Sequence, residues 1–415
     1  MPDIEVHIDF APGMKRVGTL RRHARSGGEA ISFEYHSDWL EDVARFSLEP
    51  ALTLGRGAFG PAAGLSIFGS IGDSVPDTWG RRLMQRAERR RADRDGRAPR
   101  ALQEFDYLLG VSDVSRLGAL RFRSVAGEVF QSPTATGVPG LIDLGRLLGV
   151  TERILRDEET DEDLQMIFAP GSSLGGARPK ASVIDQNGLL AIAKFPKETD
   201  EYSIELWESI ALTLAKNAGI QTPFFELRRV AGRSVLLSRR FDRTAGTRIP
   251  FLSALSMLAL RDGQHGSYPE LVDVLTSYGA HARDDAHELY RRMVLNVLIS
   301  NVDDHLRNHG FLWVSRQGWV LSPAYDLNPT PADVRPRILT TNISLDEATC
   351  DIELALSTAE FFGLSISEAK AIAREVATVT ATWHDVAAAA GAPAAEIRRM
   401  ASAFEHEDLK RALAF

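Results

Sequence analysis

Apolar and polar residues alternate one by one through Ile4-Glu5-Val6-His7-Ile8-Asp9-Phe10, and again through Ala30-Ile31-Ser32-Phe33-Glu34-Tyr35. That two-residue period predicts β-strands. Gly118-Ala119-Leu120-Arg121-Phe122-Arg123 reads as a third strand. Residues 55–72 are rich in glycine and small side chains, and Pro76-Asp77-Thr78-Trp79 then opens a helix through 81–91. Residues 127–140, with Pro133 and Pro139, are turn-rich and mark a boundary. Further on, residues 141–155 carry helical spacing, and residues 171–176 form a glycine- and serine-rich loop. Residues 181–184 and 189–195 read as two strands joined at Asn187-Gly188. Residues 203–218 predict a helix that stops at Gly219, and 235–237 a short strand. From 251 onward the period is mostly helical, with helices expected over 253–261, 269–278, 286–300, 366–384 and 394–404.

A chain of 415 residues exceeds the size at which one core stops growing, so two or three modules are expected. They divide as 1–125, 126–240 and 241–415, an α+β arrangement. The apolar fraction of 44% and charged fraction of 25% belong to a soluble globular protein. One cysteine, Cys350, excludes an internal disulfide and suits a reducing cytoplasm. The first ten residues lack a signal peptide's apolar core, and no run approaches the ~20 apolar residues of a membrane span. A net charge of −8 argues against nucleic-acid binding by the whole chain. Residues 81–100 oppose that average with arginines at 81, 82, 86, 89, 90, 91, 94, 97 and 100. A solvated helix followed by a loop at Gly96 and Pro99 explains them. A patch for acidic protein or nucleic acid is the sharper alternative.

The strongest chemical signal is Asn301-Val302-Asp303-Asp304-His305-Leu306-Arg307-Asn308, on the loop that leaves an apolar helix. An aspartate, four residues and an asparagine is the spacing of a kinase catalytic loop. The carboxylate of Asp303 would accept the proton of the attacking hydroxyl. The amide oxygen of Asn308 would ligate Mg²⁺ without adding charge. The histidine-arginine-aspartate triplet of eukaryotic kinases is absent, and a polar turn capping the helix is the plain alternative. Ser322-Pro323-Ala324-Tyr325-Asp326-Leu327-Asn328-Pro329 follows after two short strands, 311–314 and 319–321. Kinases place such a hairpin between the catalytic loop and a metal-binding aspartate, here Asp326, whose hard oxygen suits Mg²⁺. A turn aspartate is the plain reading there. Asp303, Asp304, His305 and His309 also suggest a zinc site, disfavoured because a loop through them would not bring the histidines to one face.

Gly171-Ser172-Ser173-Leu174-Gly175-Gly176-Ala177-Arg178-Pro179-Lys180 would let backbone N–H groups approach phosphates. Ala177 and Arg178 stand where a Walker A loop needs lysine and a hydroxyl, so that reading fails. The dinucleotide fingerprint fails on spacing. A phosphate-covering loop before a strand pair fits; an ordinary loop is the alternative. Lys194, at a strand end, is the favoured phosphate-neutralising lysine, with Lys180 auxiliary. Glu208 or Glu205, on the next helix, could orient Lys194, although a solvated helix face is the expected setting of both.

Together these segments resemble the HipA family, toxins of bacterial toxin–antitoxin systems. The resemblance rests on residues 173–180, 301–308 and Tyr325-Asp326. Pro76-Asp77-Thr78-Trp79-Gly80-Arg81, Gly118-Ala119-Leu120-Arg121-Phe122 and Arg240-Phe241-Asp242-Arg243 support it across almost the whole chain. It implies a protein-kinase-like bilobal fold with an extra N-terminal α/β module, a small mixed lobe and a larger all-helical C-terminal lobe. It further implies an ATP- and Mg²⁺-dependent serine/threonine protein kinase with Asp303 as base and Asn308 and Asp326 as metal ligands. ATP-binding residues would be Ser173, Leu174, Gly175, Gly176, Ala177, Lys180, Lys194, Arg239, Phe241, His305, Asn308 and Asp326. Ser173 matches the serine that family members autophosphorylate. Arg239 stands where the family prototype has a glutamate, so only backbone contacts to adenine carry over there. The implied partners are a helix-turn-helix antitoxin of the HipB type, operator DNA mainly through it, and a protein substrate such as an aminoacyl-tRNA synthetase. No membrane partner is implied.

Two other functions compete. A small-molecule kinase would share the Asp303, Asn308 and Asp326 pattern but not the Trp79 and Phe122 motifs. A non-enzymatic co-regulator would not need Asp303, Asn308, Asp326 and Lys194 together.

Overall fold

The structure, a computed structural model, describes residues 3–11, 13–25, 28–125, 127, 129–131, 138–168, 176–244 and 246–415. The chain divides into two compact units. The first comprises Met1–Thr199, Arg228–Leu252 and Ala259–Arg261, and the second Asp200–Leu227, Ser253–Leu258 and Asp262–Phe415.

The first unit opens with a five-stranded antiparallel sheet in the spatial order Ala58–Phe59, Gly28–Tyr35, Gly13–Arg25, Ile4–Phe10, Leu120–Ser124. Ile4, Val6 and Ile8 point into the core from one face of the strand Ile4–Phe10. Its other face is covered too. Glu5 is buried and accepts from Arg123 Nε at 2.6 Å, with His7 Nε2 at 3.0 Å. Phe130 packs edge-on against the His7 ring. A polar face can be buried here because its charges are paired.

The arginine-rich segment forms the helix Thr78–Arg94. Asp77 caps it, Oδ1 accepting from Gly80 N at 2.8 Å. Six of its neighbourhood's arginines are spent inside the unit. Arg81 pairs with Glu104, Arg86 with Asp157 and Glu159, and Arg90 with Glu159 and Asp161. Arg94 pairs with Asp161, Arg97 with Glu88, and Arg100 with Asp106. Among the described residues only Arg82, Arg89 and Arg91 of the nine have no carboxylate partner, and all three are exposed.

Asp77 has a second task. Its Oδ2 lies 2.9 Å from Lys180 Nζ, and both side chains are only 3% exposed. Asp77→Ala removes the helix cap, worth about 1 kcal/mol, and takes a carboxylate away from the buried Lys180 ammonium, which adds to the cost. The expected result is a large drop in the thermal unfolding midpoint. Asp77→Asn, which keeps the capping oxygen, should lose less. Equal midpoints for wild type and Asp77→Ala would refute the assignment.

Lys180–Ile184, Leu190–Lys194 and Arg233–Arg239 form an antiparallel ladder in the same unit. The turn uses Gly188 at φ +75°, a left-handed backbone that glycine adopts without strain. The helix Leu144–Leu155 packs Leu147, Leu148, Val150 and Ile154 with Ala181, Val183, Ala191, Ala193, Val235, Leu237, Trp79 and Leu83 into one core. Two of the sequence motifs meet inside this unit. Asp242 is fully buried, paired with Arg240 and Arg243, and accepts from Gly118 N at 2.7 Å.

The second unit is mostly helical: Ile204–Asn217, Tyr268–Tyr278, Ala282–Leu298, Ile352–Ser357, Ile366–Thr380, Trp383–Ala389, Ala394–Phe404 and Glu407–Ala414. The all-helical character implied for the C-terminal lobe needs correction, because Gly310–Ser315 and Gly318–Leu321 form the antiparallel hairpin expected over 311–314 and 319–321. Trp313 and Trp319 face each other across it, a cross-strand aromatic pair that favours strands over helix. The helix expected over 253–261 is confined to Ala254–Met257, and Ala259 at φ +53° turns the chain away. That over 366–384 breaks at Ala381–Thr382 into two. Glu205 and Glu208, expected on a solvated face, are 1% and 3% exposed. No helix among the described residues is long and apolar enough to cross a membrane.

His406 joins three elements of this unit. Its Nδ1 accepts from Leu409 N, and its Nε2 lies 3.0 Å from Leu298 O. Burial, and then the Arg337 guanidinium, push its pKa down to about 4. On unfolding it regains an ordinary value near 6.5 and binds a proton the folded state refuses. Its neutral-state stability is therefore fully present above pH 6.5 and is lost progressively as the pH falls to 4, by roughly 2–3 kcal/mol. Thermal melts from pH 7.5 to 4 should show this slope, and His406→Gln should flatten it. An unchanged slope in the variant would exclude His406 as its source.

Candidate active site

The helix Ala282–Leu298 ends where Ser300 takes a left-handed backbone, φ +52°. The chain then folds back on itself: Asn301 N donates to Asn296 O, His305 N to Asp303 O at 2.9 Å, and Asn308 N to His305 O at 2.7 Å. The turn Leu306–Asn308 closes this loop. Asp303 is left exposed, its side chain 54% accessible, with Arg335 Nη1 at 3.3 Å from Oδ1. Such an exposed ion pair is worth about 0–1 kcal/mol and yields easily to an incoming group. Neighbouring Asp304 points the other way, into the core. It accepts from Tyr268 OH at 2.6 Å and lies 2.9 Å from His309 Nε2. Burial, and then the Asp304 carboxylate, push the Tyr268 phenol well above its ordinary value, so it remains a donor.

Asn308 is buried. Its Nδ2 donates to Asp303 O at 3.0 Å, which fixes the amide plane. Its Oδ1 is buried and accepts no hydrogen bond. A buried acceptor without a donor costs about 1–3 kcal/mol unless something else supplies the positive charge. A hard divalent cation fits that position, since an amide oxygen is a ligand of the right type. His305 Nδ1 is a second buried polar atom without a hydrogen-bond partner.

Asp326 also has a left-handed backbone, φ +61°, at a turn beyond the hairpin. Tyr325 OH donates to Arg307 O at 2.7 Å, tying this turn to the Asp303 loop. Asn328 Nδ2 donates to Asp326 O at 3.1 Å and lies 3.3 Å from its Oδ1. The structure therefore brings Asp303, His305, Asn308 and Asp326 into one connected part of the second unit. Among the described residues no three or more histidines, cysteines or carboxylates converge as a metal-binding group. Magnesium typically takes only one or two protein ligands and keeps several waters.

The other expected residues belong to the first unit. Ser173, Leu174 and Gly175 lie outside the described residues. Gly176 has φ +104°, and an added Cβ would sit 3.0 Å from Lys180 Nζ. Ala177 is exposed. Trp79 holds the far side of this turn, its N donating to Gly176 O and its Nε1 to Lys180 O at 3.1 Å. Lys180 and Lys194 are opposite each other across the strand pair, Lys180 buried and Lys194 partly exposed. Arg239 makes two bonds to Asp185 Oδ2, at 3.1 and 2.8 Å, in the hairpin turn. Phe241 packs against Phe251. Sequence reasoning missed Asp77 as the partner of Lys180 and Tyr268 and Asn296 as partners of the Asp303 loop. The Asp77 motif was visible, but its pairing was not.

Residues 172–383 match the family model of the HipA-like C-terminal domain, just over half of the chain. A Sinorhizobium fredii protein described as a kinase, Y4dM, is 30% identical over 155 residues, 34% of this chain. The chain spans only 37% of that relative's length. Among solved structures, the HipA toxin of Shewanella oneidensis MR-1, determined with HipB and operator DNA, superposes with a TM-score of 0.68. The alignment covers 99% of this chain and 96% of that one at 16% identity, a likeness of fold. With the family match over the glycine-rich loop, the Asp303 loop and the Asp326 turn, this chain belongs to the family of proteins with a HipA-like C-terminal domain.

Proposed function

We propose that the chain is an ATP- and Mg²⁺-dependent serine/threonine protein kinase, the toxin of a toxin–antitoxin pair. The observation that carries this reading is Asn308. Its amide is locked by the carbonyl of Asp303 and its Oδ1 is buried without a donor, next to an exposed carboxylate. A polar helix cap would have no use for that orphaned oxygen.

In this reading the acceptor hydroxyl approaches Asp303 and displaces Arg335. Its oxygen forms a bond to the γ-phosphorus of ATP, its proton passes to the Asp303 carboxylate, and the bond from γ-phosphorus to the β,γ-bridging oxygen breaks. ADP leaves with that electron pair. Mg²⁺, when bound, neutralises charge on the phosphates. Asn308 and Asp326 would hold it. Lys194, with Lys180 auxiliary, would neutralise the phosphates, and His305, Phe241 and the backbone at Arg239 would contact the nucleotide. The three-module division at 125 and 240 belongs to the same reading.

Ser173 would be autophosphorylated. A phosphoserine carries about −1.5 to −2 charge and would repel ATP phosphates from the glycine-rich loop, switching the enzyme off. The partner would be a helix-turn-helix antitoxin, as HipB accompanies the Shewanella protein on operator DNA. Transfer of labelled γ-phosphate to protein acceptors and to small alcohols, with mass spectrometry to separate Ser173 from Ser172, tests this. Transfer to neither class by folded protein overturns the kinase, and transfer to small alcohols alone overturns the protein substrate.

A further inference from the structure

A chain of buried polar side chains runs through the second unit and is longer than packing requires. Asn328 N donates to Asn301 Oδ1 at 3.1 Å, and Asn301 Nδ2 to Asn296 Oδ1 at 3.0 Å. Asn296 Nδ2 donates to Tyr268 OH at 2.9 Å, and Tyr268 OH to Asp304 Oδ2 at 2.6 Å. Asn301, Asn296, Tyr268 and Asp304 are each 2% exposed or less. Apolar residues of the same volume would fill this space at lower risk, because any unsatisfied member of a buried polar network is costly.

Every bond in the chain points the same way. Asp304 as a carboxylate only accepts, so Tyr268 must donate to it. The Tyr268 oxygen must then accept from Asn296, whose carbonyl accepts from Asn301, whose carbonyl is left facing the backbone N–H of Asn328. The charged end fixes the orientation of each amide in turn, through charge-assisted bonding at Asp304. Thr330 N donates to Ser300 O at 3.1 Å, so residues 328–330 are gripped twice by the start of the Asp303 loop. The gripped segment in turn holds Asp326 through Asn328 Nδ2. Both Ser300 and Asp326 have left-handed backbones, which cost a non-glycine residue about 1–2 kcal/mol and persist only where neighbours hold them.

We infer that Tyr268, Asn296, Asn301 and Asn328 are positioning residues that set the Asp326 carboxylate in register with the Asp303 loop for divalent-metal binding. This role rests on the kinase reading and adds to it the groups that preorganise its metal site. Partners that orient a metal ligand contribute to affinity on the scale of 10- to 100-fold.

The test measures binding rather than turnover. Mn²⁺ with a non-hydrolysable ATP analogue is titrated into full-length wild type, Tyr268→Phe and Asn301→Ala, read by manganese electron paramagnetic resonance, with circular dichroism as the control for folding. Both variants should bind Mn²⁺ at least about 10-fold more weakly while metal-free analogue affinity stays unchanged. Tyr268→Phe removes one oxygen and keeps the ring, so it answers the question should Asn301→Ala fail to fold. Equal Mn²⁺ affinity in wild type and folded Tyr268→Phe overturns the positioning role and leaves the kinase reading standing. Loss of metal-free and metal-dependent binding in equal proportion also overturns it, as damage to the fold. No metal-dependent nucleotide binding by the wild type overturns both.

Discussion

Asp303→Asn protein should fold like wild type and transfer phosphate about 10²- to 10⁴-fold more slowly. The substitution exchanges one carboxylate oxygen for an amide nitrogen of nearly equal size. It touches little else, because the Asp303 side chain is 54% exposed and its ion pair with Arg335 is exposed as well. Losing that pair costs at most about 1 kcal/mol. The Asn308 amide is held by the backbone carbonyl of residue 303, which the substitution leaves in place. On the proposed reading, what disappears is the acceptor for the hydroxyl proton. Single-turnover transfer of labelled γ-phosphate, beside a thermal melt, checks both halves. Wild-type turnover in a correctly folded variant would remove Asp303 from its role.

Asp326→Ala should lose at least about 10²-fold more nucleotide affinity in Mg²⁺ than in a chelator. Asp326→Asn is the cleaner companion. The backbone there is left-handed, a conformation that Asn and Asp tolerate better than Ala, so the alanine variant adds strain to the loss of charge. Calorimetry with ATP in Mg²⁺ and in a chelator separates the effects. Strain would lower both affinities, whereas loss of a metal ligand lowers the first alone. Unchanged Mg²⁺–ATP affinity in Asp326→Asn would show that the carboxylate holds no metal.

The proposed chemistry of this chain is more legible in its sequence than the supports around it. Asp303, Asn308 and Asp326 lie within one short stretch, and local spacing carries their relation. The same holds for the strand pair through Asn187-Gly188 and the helix Ala394–Phe404, where period and punctuation agree. Tyr268 bonds to Asp304 across 36 positions and to Asn296 across 28, distances at which no periodicity operates. Glu205 and Glu208 read as solvent-facing because composition suggests exposure for charged residues, whereas tertiary packing buried them. The helix expected past residue 257 stops at a left-handed alanine, Ala259, which propensity alone would place inside a helix. The glycine-rich loop is the reverse case: its chemistry is suggested by Gly175-Gly176 and Lys180, while residues 169–175 lie outside the described structure.

The internal pairing along Thr78–Arg94 also bears on how a complex of this chain would respond to salt. Binding a polyanion releases condensed counterions in proportion to the phosphates neutralised, and the slope of log K against log salt is about −0.9 per phosphate. Six of the nine arginines already have carboxylates beside them, so neutralising a phosphate with any of these would first expose an acid. Only Arg82, Arg89 and Arg91 can contribute without that exchange. Nine arginines would suggest a slope near −8. The structure limits this helix to about −3. Any steeper salt dependence in binding a polyanion must come from residues elsewhere.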